Sequence, residues 1–318
     1  MTAPCVLLSL VRPQGSSGPS GPSLRALHRL LSVRTQTSNT ANRAYRLVCS
    51  DRRVSSRRQM DHLQRTAAQS RHTALYPAQV CGLTNESDTV KRLRLAVHPE
   101  FSFKAGQWVD LFIPGLETVG GFSMCSSPGL LQREGIMELA VKYAKHPPAH
   151  WVHTQCTTGS KVALRVGGDF FFDPAPSDPT LDLLLVGGGV GINPLYSILL
   201  HAADRLKLNQ ANISSAHICY SAKKSQDLLF KSSIVEKCEE FPNFSCDFHV
   251  TQQSSEVEPR LQPFTSRGRI TADHLQAHVH PQSTLCYLCG PPPMTEALSS
   301  TLRELGLPKD RILFEKWW

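Results

Sequence analysis

Nowhere in the 318 residues does an apolar run approach the ~20 needed to cross a bilayer, so no membrane span is expected. Acidic residues are missing from the first 50 positions; the first is Asp51. Of the 34 lysines and arginines, 12 lie in residues 1–75, all of them arginine, against two of the 26 acids. The remainder carries 22 basic and 24 acidic residues and is close to neutral. The formal charge of +8 therefore belongs to the amino-terminal quarter and gives no ground for a nucleic-acid partner. Metal signatures are lacking too. Among ten cysteines only Cys286 and Cys289 form a C-x-x-C, with no second pair at zinc spacing and no plant-type iron–sulfur spacing. No His-Glu-x-x-His occurs, and no metal is expected.

What is present begins with a leader. Residues 1–73 are rich in Arg and Ser, and Leu24, Leu27 and Leu31 share one helical face flanked by Arg25 and Arg29. A basic amphipathic helix in an acid-poor tail predicts a mitochondrial transit segment, largely disordered, delivering the protein to the matrix, with processing near Arg43-Ala44-Tyr45. The rivals are a secretory signal built on Val6 to Val11 and a disordered tail with no address.

From Ala74 short alternating segments succeed one another: Leu93, Leu95, Val97; Trp108 to Ile113; Met137, Leu139, Val141; Val162, Leu164, Val166. Turn residues such as Ser127-Pro128-Gly129 and Gly167-Gly168-Asp169 separate them, which predicts an antiparallel barrel or sandwich over 74–176. After the proline-rich stretch 173–179, strands alternate with helical patterns. Residues 177–318 therefore read as an α/β domain with a parallel sheet.

Within that domain Leu183 to Val186 runs into Gly187, Gly188, Gly189 and Gly191, with Val190 and Ile192 interleaved and Pro194 at a helix start. A strand, a glycine turn and a helix N-terminus together form a phosphate cradle. The common G-x-G-x-x-G pattern is incomplete, because Ile192 takes the third glycine position. A ligand-free strand–helix turn is the alternative. A second loop, Cys289-Gly290-Pro291-Pro292-Pro293-Met294, also follows a strand, so two loops converge on one crevice.

These motifs resemble the ferredoxin–NADP reductase superfamily of flavin oxidoreductases, over about Ala74 to Trp318. The stretch 187–194 is similar to the family's G-G-G-x-G-x-x-P loop, and 289–294 to its C-G-P-P-x-M loop. The resemblance implies a six-stranded flavin-type barrel followed by the NAD(P)-binding domain. It also implies hydride transfer from NAD(P)H to FAD, or FMN, and on to a separate acceptor. It assigns nucleotide contacts to Gly187, Gly188, Gly189, Val190, Gly191, Ile192, Pro194, Gly290, Pro291 and Met294. Cys289 would border the nicotinamide, Phe122 would flank the flavin ring, Ser123 would reach its N5, and Trp318 would gate nicotinamide access. Gly120 stands where the family has a phosphate-binding arginine, and Ala149 where it has a serine. Both departures predict weak or altered flavin binding. A reading of another class is a nucleotide-binding regulatory or scaffold protein that keeps the fold without flavin chemistry.

Overall fold

The computed structural model describes residues 61–316. The leader helix around Leu24–Leu31, the processing point and Trp318 lie outside the described residues.

Two-residue periodicity builds the first half. Strands β1 (Tyr76–Ser87), β2 (Val90–Val97), β3 (Trp108–Phe112), β4 (Gly120–Ser123), β5 (Ile136–Lys142) and β6 (Lys161–Gly167) pair antiparallel in the order β4-β3-β6-β1-β2-β5. A bridge between Met124 and Leu139 joins the two ends, so the sheet closes into a barrel without free edges. The alternating residues Leu93, Leu95, Met137, Leu139, Val162, Leu164 and Val166 fill it. Helix α2 (Pro128–Glu134) starts on a Ser127 cap, the hydroxyl accepting from the Leu130 N–H at 3.2 Å. Helix α3 (Pro147–Thr154) lies between β5 and β6.

The second half is a six-stranded, all-parallel sheet. Its strands are β7 (Leu181–Gly188), β8 (Ile213–Ala222), β9 (Phe244–Val250), β10 (Thr265–Arg267), β11 (Thr284–Gly290) and β12 (Ile312–Lys316), in the order β10-β9-β8-β7-β11-β12. The chain moves outward from β7 to one edge and then returns to its other side. The β7–β11 pair is therefore the topological switch point. Helices α4 (Ile192–Lys207), α5 (Lys231–Glu240), α6 (Ala272–Gln276) and α7 (Pro292–Glu304) connect the strands. Helix α4 buries Leu195, Ile198, Leu199 and Ala202 at the spacing that the sequence predicts.

The halves share one apolar core. Ala105, Ala140, Phe170 and Phe172 from the barrel lie in the same cluster as Leu183, Leu195 and Tyr287. Buried hydrogen bonds cross the seam: Asn193 Nδ2 donates to the Ala140 carbonyl at 2.7 Å and Ser197 Oγ to the Ser126 carbonyl at 2.6 Å.

The last residues of the stretch read as leader, 61–73, fall among those the structure describes. Residues 61–72 fold onto the barrel. Helix α1 (His62–Arg65) is capped by Asp61, and Arg71 forms a bridge with Gly167 at the β6 edge. Apolar periodicity gave no sign of this segment because charge anchors it, as described next.

Candidate functional site

At the carboxyl edge of the switch point, β7 delivers Gly187 and Gly188, and a single tight turn over Gly189–Gly191 leads into α4. Gly189 has φ of +56° and nothing within 4 Å of where a side chain would stand, so the turn presents bare backbone to open space. Gly191 is the opposite case. Its Cα face lies directly against the Cys289 carbonyl, and any side chain there would collide with backbone. The loop after β11 thus rests on the loop after β7, and Gly290 approaches the Cα of Gly188 to 3.2 Å from its own Cβ position. Met294 leans its sulfur on Gly188, and Pro291 packs beside it. The predicted convergence of two loops is a direct contact, with an open helix N-terminus of the kind that holds a phosphate.

The remaining predicted residues divide by burial. Ile192 and Pro194 are buried in the first turn of α4; Val190 is half-buried at the turn before it. Cys289 is 0 % exposed and faces the core of Leu195 and Tyr287. Burial, reinforced by the Glu315 carboxylate, pushes its thiol well above the ordinary range. Its side chain is therefore a neutral packing group, and its carbonyl is the atom that shapes the loop. Cys286 belongs to the cluster on the other face of the sheet, so the C-x-x-C forms no pair.

The barrel face is built differently. Phe122 folds inward beside the barrel core, and a side chain at Gly120 would stand 2.5 Å from the Phe122 ring and 2.8 Å from Pro148. The position of the absent arginine is filled by the chain itself. Helix α3, which carries Ala149 where the family has a serine, opens with Pro147 and Pro148 and has no side-chain cap. Two prolines remove two of the four N–H groups that a helix start offers an anion. The His150 N–H is already bonded to the His146 carbonyl at 2.9 Å. Lys142 and Lys145 are exposed. These residues do not fit a flavin gripped by its phosphate.

Ser123 is buried opposite Trp108 on the outer face of β3–β4, and residues 61–71 cover that face. The His62 ring lies on Gly121 and meets Trp108 edge-on at 4.9 Å. Beneath it sits Asp110, 0 % exposed, which gathers His62 and Arg71 of the segment. Its carboxylate takes His62 Nε2 at 2.8 Å, Arg71 Nε at 3.0 Å, and Arg165 through Nε at 2.8 Å and a terminal nitrogen at 2.7 Å. Burial alone would raise the Asp110 carboxyl; the hydrogen bonds from His62, Arg71 and Arg165 outweigh it and hold the group below its usual range. Sequence reading missed this cluster, since its members are 48, 39 and 55 positions from Asp110. The signal available was an aspartate inside the apolar strand Trp108–Phe112, which demands buried partners.

Between the covering segment and β12 lies a cleft of about 410 Å³, lined by residues including Arg65, Gln69, Phe170, Glu315 and Lys316. Glu315 and Lys316 pair in register with Cys289 and Gly290, so the cleft adjoins the nucleotide loops.

Comparison with known proteins agrees with this geometry. The model of the oxidoreductase NAD-binding domain family matches residues 185–300. Oxidoreductase NAD-binding domain-containing protein 1 of Danio rerio is 65% identical over 270 residues, covering 83% of this chain and 100% of the relative. Among solved structures, the Amycolatopsis cytochrome P450 reductase GcoB superposes with a TM-score of 0.65 at 23% identity, covering 76% of this chain and 69% of that one. A ferredoxin NADP+ reductase from Neisseria gonorrhoeae, solved with FAD and NADP bound, gives 0.63 at 17% identity, covering 78% and 100%. The sequence relative thus shows the family and the solved structures the fold: the chain belongs to the family of oxidoreductase NAD-binding domain-containing protein 1, on the ferredoxin–NADP reductase fold.

Proposed function

We propose that the chain is an NAD(P)H-dependent oxidoreductase that delivers hydride to a flavin ring entering the cleft beside the Cys289–Gly290 turn. The observation that carries this reading is the contact between the two loops with open space left at Gly189. The nucleotide's pyrophosphate meets the turn at Gly188–Ile192 and the start of α4, and the nicotinamide lies toward Gly290 and the cleft. In the reaction the C4–H bond of the reduced nicotinamide breaks, its electron pair and hydrogen pass to the acceptor, and NAD(P)+ leaves. The protein's part is to orient the two rings and exclude water. Ser221, in register with Gly188, and the exposed Lys223 and Lys224 stand where an adenosine ribose would reach, so NADH and NADPH are to be compared.

Because the barrel offers no phosphate grip, the flavin in this reading is a reactant that enters and leaves, carrying electrons to a separate acceptor, protein or small molecule. The test is NADH oxidation by the full-length protein with riboflavin, FMN or FAD added. Ring-only recognition gives KM values of the same order for all three. Reduction of FAD with none of riboflavin would contradict it. No NADH oxidation with any of the three flavins would leave the scaffold reading, which the covered face of Ser123 favours. For the compartment, the acid-poor residues 1–50 support import into the mitochondrial matrix. A reporter fused to residues 1–75 checks it, and secretion of the fusion reverses it. Cleavage near Tyr45 would leave residues 61–71 on the mature protein.

A further inference from the structure

Away from the nucleotide loops, the sheet face opposite α4 gathers imidazoles. His217 is buried in mid-β8, Asp247 stands on the neighbouring β9, and His278 follows α6. One ligand-type atom from each lies within 4.8 Å of the others. His217 Nε2 and Asp247 Oδ2 are 3.4 Å apart. Two ligands held ~2.0–2.2 Å from a tetrahedral zinc ion are separated by roughly that distance. The other ring nitrogen of His217, Nδ1, meets Ser245 Oγ at 2.8 Å, the outer contact that fixes the tautomer and aims Nε2 in metal-bound histidines. With Nδ1–H donating to Ser245, the Nε2 lone pair faces the Asp247 carboxylate and the Cys219 sulfur, the latter at 3.2 Å, and a cation beside the carboxylate replaces the contact with the thiol. His249, two positions along β9 from Asp247 and 0 % exposed, has no hydrogen-bond partner on either ring nitrogen. No element of the proposed reaction uses these groups.

We propose that His217, Asp247 and His278 bind one zinc-class divalent ion, with water in the fourth position. Two imidazoles and a carboxylate are the donor set that suits such ions. The rings of His217 and His278 are stacked face to face at 3.4 Å, and two parallel rings cannot both aim a lone pair at one ion. Binding therefore turns His278 off the stack, which its half-exposed position after α6 allows. The ion ties β8, β9 and the segment after α6 together and closes two stretches of chain of about thirty residues, stabilising the outer half of the sheet.

The sequence held one sign of this patch, the helical spacing His274-x-x-x-His278, but the three ligands come from separate elements and no spacing motif connects them.

The experiment titrates untagged, full-length protein with Co²⁺ as the spectroscopic probe and with Zn²⁺ in thermal melts. The proposal predicts one equivalent of Co²⁺ giving the visible bands of a four-coordinate ion, competed by Zn²⁺, and a Zn²⁺-dependent rise in Tm. Asp247→Ala with His278→Ala, both at partly exposed positions, should weaken that binding by on the order of 100-fold or more and abolish the rise. NADH affinity, unchanged in the double variant, reports that it is folded. Absence of a stoichiometric Co²⁺ site in the wild type, or the same site intact in the double variant, overturns the proposal.

Discussion

The two faces that should meet a redox pair are treated in opposite ways. At the carboxyl edge of the parallel sheet, glycines keep side chains out, and the space beyond Gly189 stays open. On the barrel, the matching small positions are occupied by the protein's own atoms: Phe122 and Pro148 close over Gly120, and His62 lies on Gly121. One glycine faces open space, the others serve internal packing. A glycine in a motif therefore says little about binding until its neighbours are known. Here the contrast separates an open glycine turn, the proposed nucleotide site, from a filled barrel face.

The contrast breaks most severely at Asp110. Asp110→Ala leaves the partly buried Arg71 and Arg165, and the buried His62, without their acceptor, and should cost about 3 kcal/mol in chemical denaturation. A loss below ~1 kcal/mol would mean that the covering segment is only loosely attached.

Gly189 probes the other face. Gly189→Val fills the open space and forces a β-branched residue to positive φ, and should weaken NADH binding by on the order of 100-fold in calorimetry, about 2.7 kcal/mol. Gly189→Asn tolerates that φ, so it should retain stability while still losing affinity. Unchanged affinity in both would move the nucleotide elsewhere.

Gly120→Arg sharpens the comparison. Restoring the family's residue should overpack against Phe122 and Pro148, costing about 1–3 kcal/mol in thermal melts, with no gain in flavin affinity by fluorescence titration. Tighter flavin binding would show that the phosphate end opens readily.

Acid provides the smallest effect. The folded Asp110 carboxyl lies below its usual range, so its contribution is fully present above the unfolded value of ~3.9 and is lost as pH falls through the lower, folded value. Unfolding free energy should decline more steeply below about pH 4 in the wild type than in Asp110→Asn, which has no such titration.

Much of this molecule was legible in its sequence, for local reasons. Period-two alternation at Leu93–Val97 and Met137–Val141 and helical spacing from Leu195 are determined by neighbours in the chain, and both domains follow from them. The glycine loop and the Cys289–Met294 loop could be paired because topology carries both to one edge. What stayed hidden depends on contacts across long separations. The polar segment at 61–71 is held by residues far along the chain, Asp110 through His62 and Arg71 and Trp108 through Gln69. Cys289 reads as a site residue from its motif, yet its thiol points into the core. Gly120 reads as a lost arginine, whereas its filled surroundings show that the space was lost as well.

The most direct test of the contrast is the visible spectrum of the full-length protein after incubation with excess FAD and gel filtration, with NADH affinity measured on the same sample. An open nucleotide edge and a filled barrel face predict a colourless protein that binds NADH. A yellow protein retaining one FAD per chain would contradict the account.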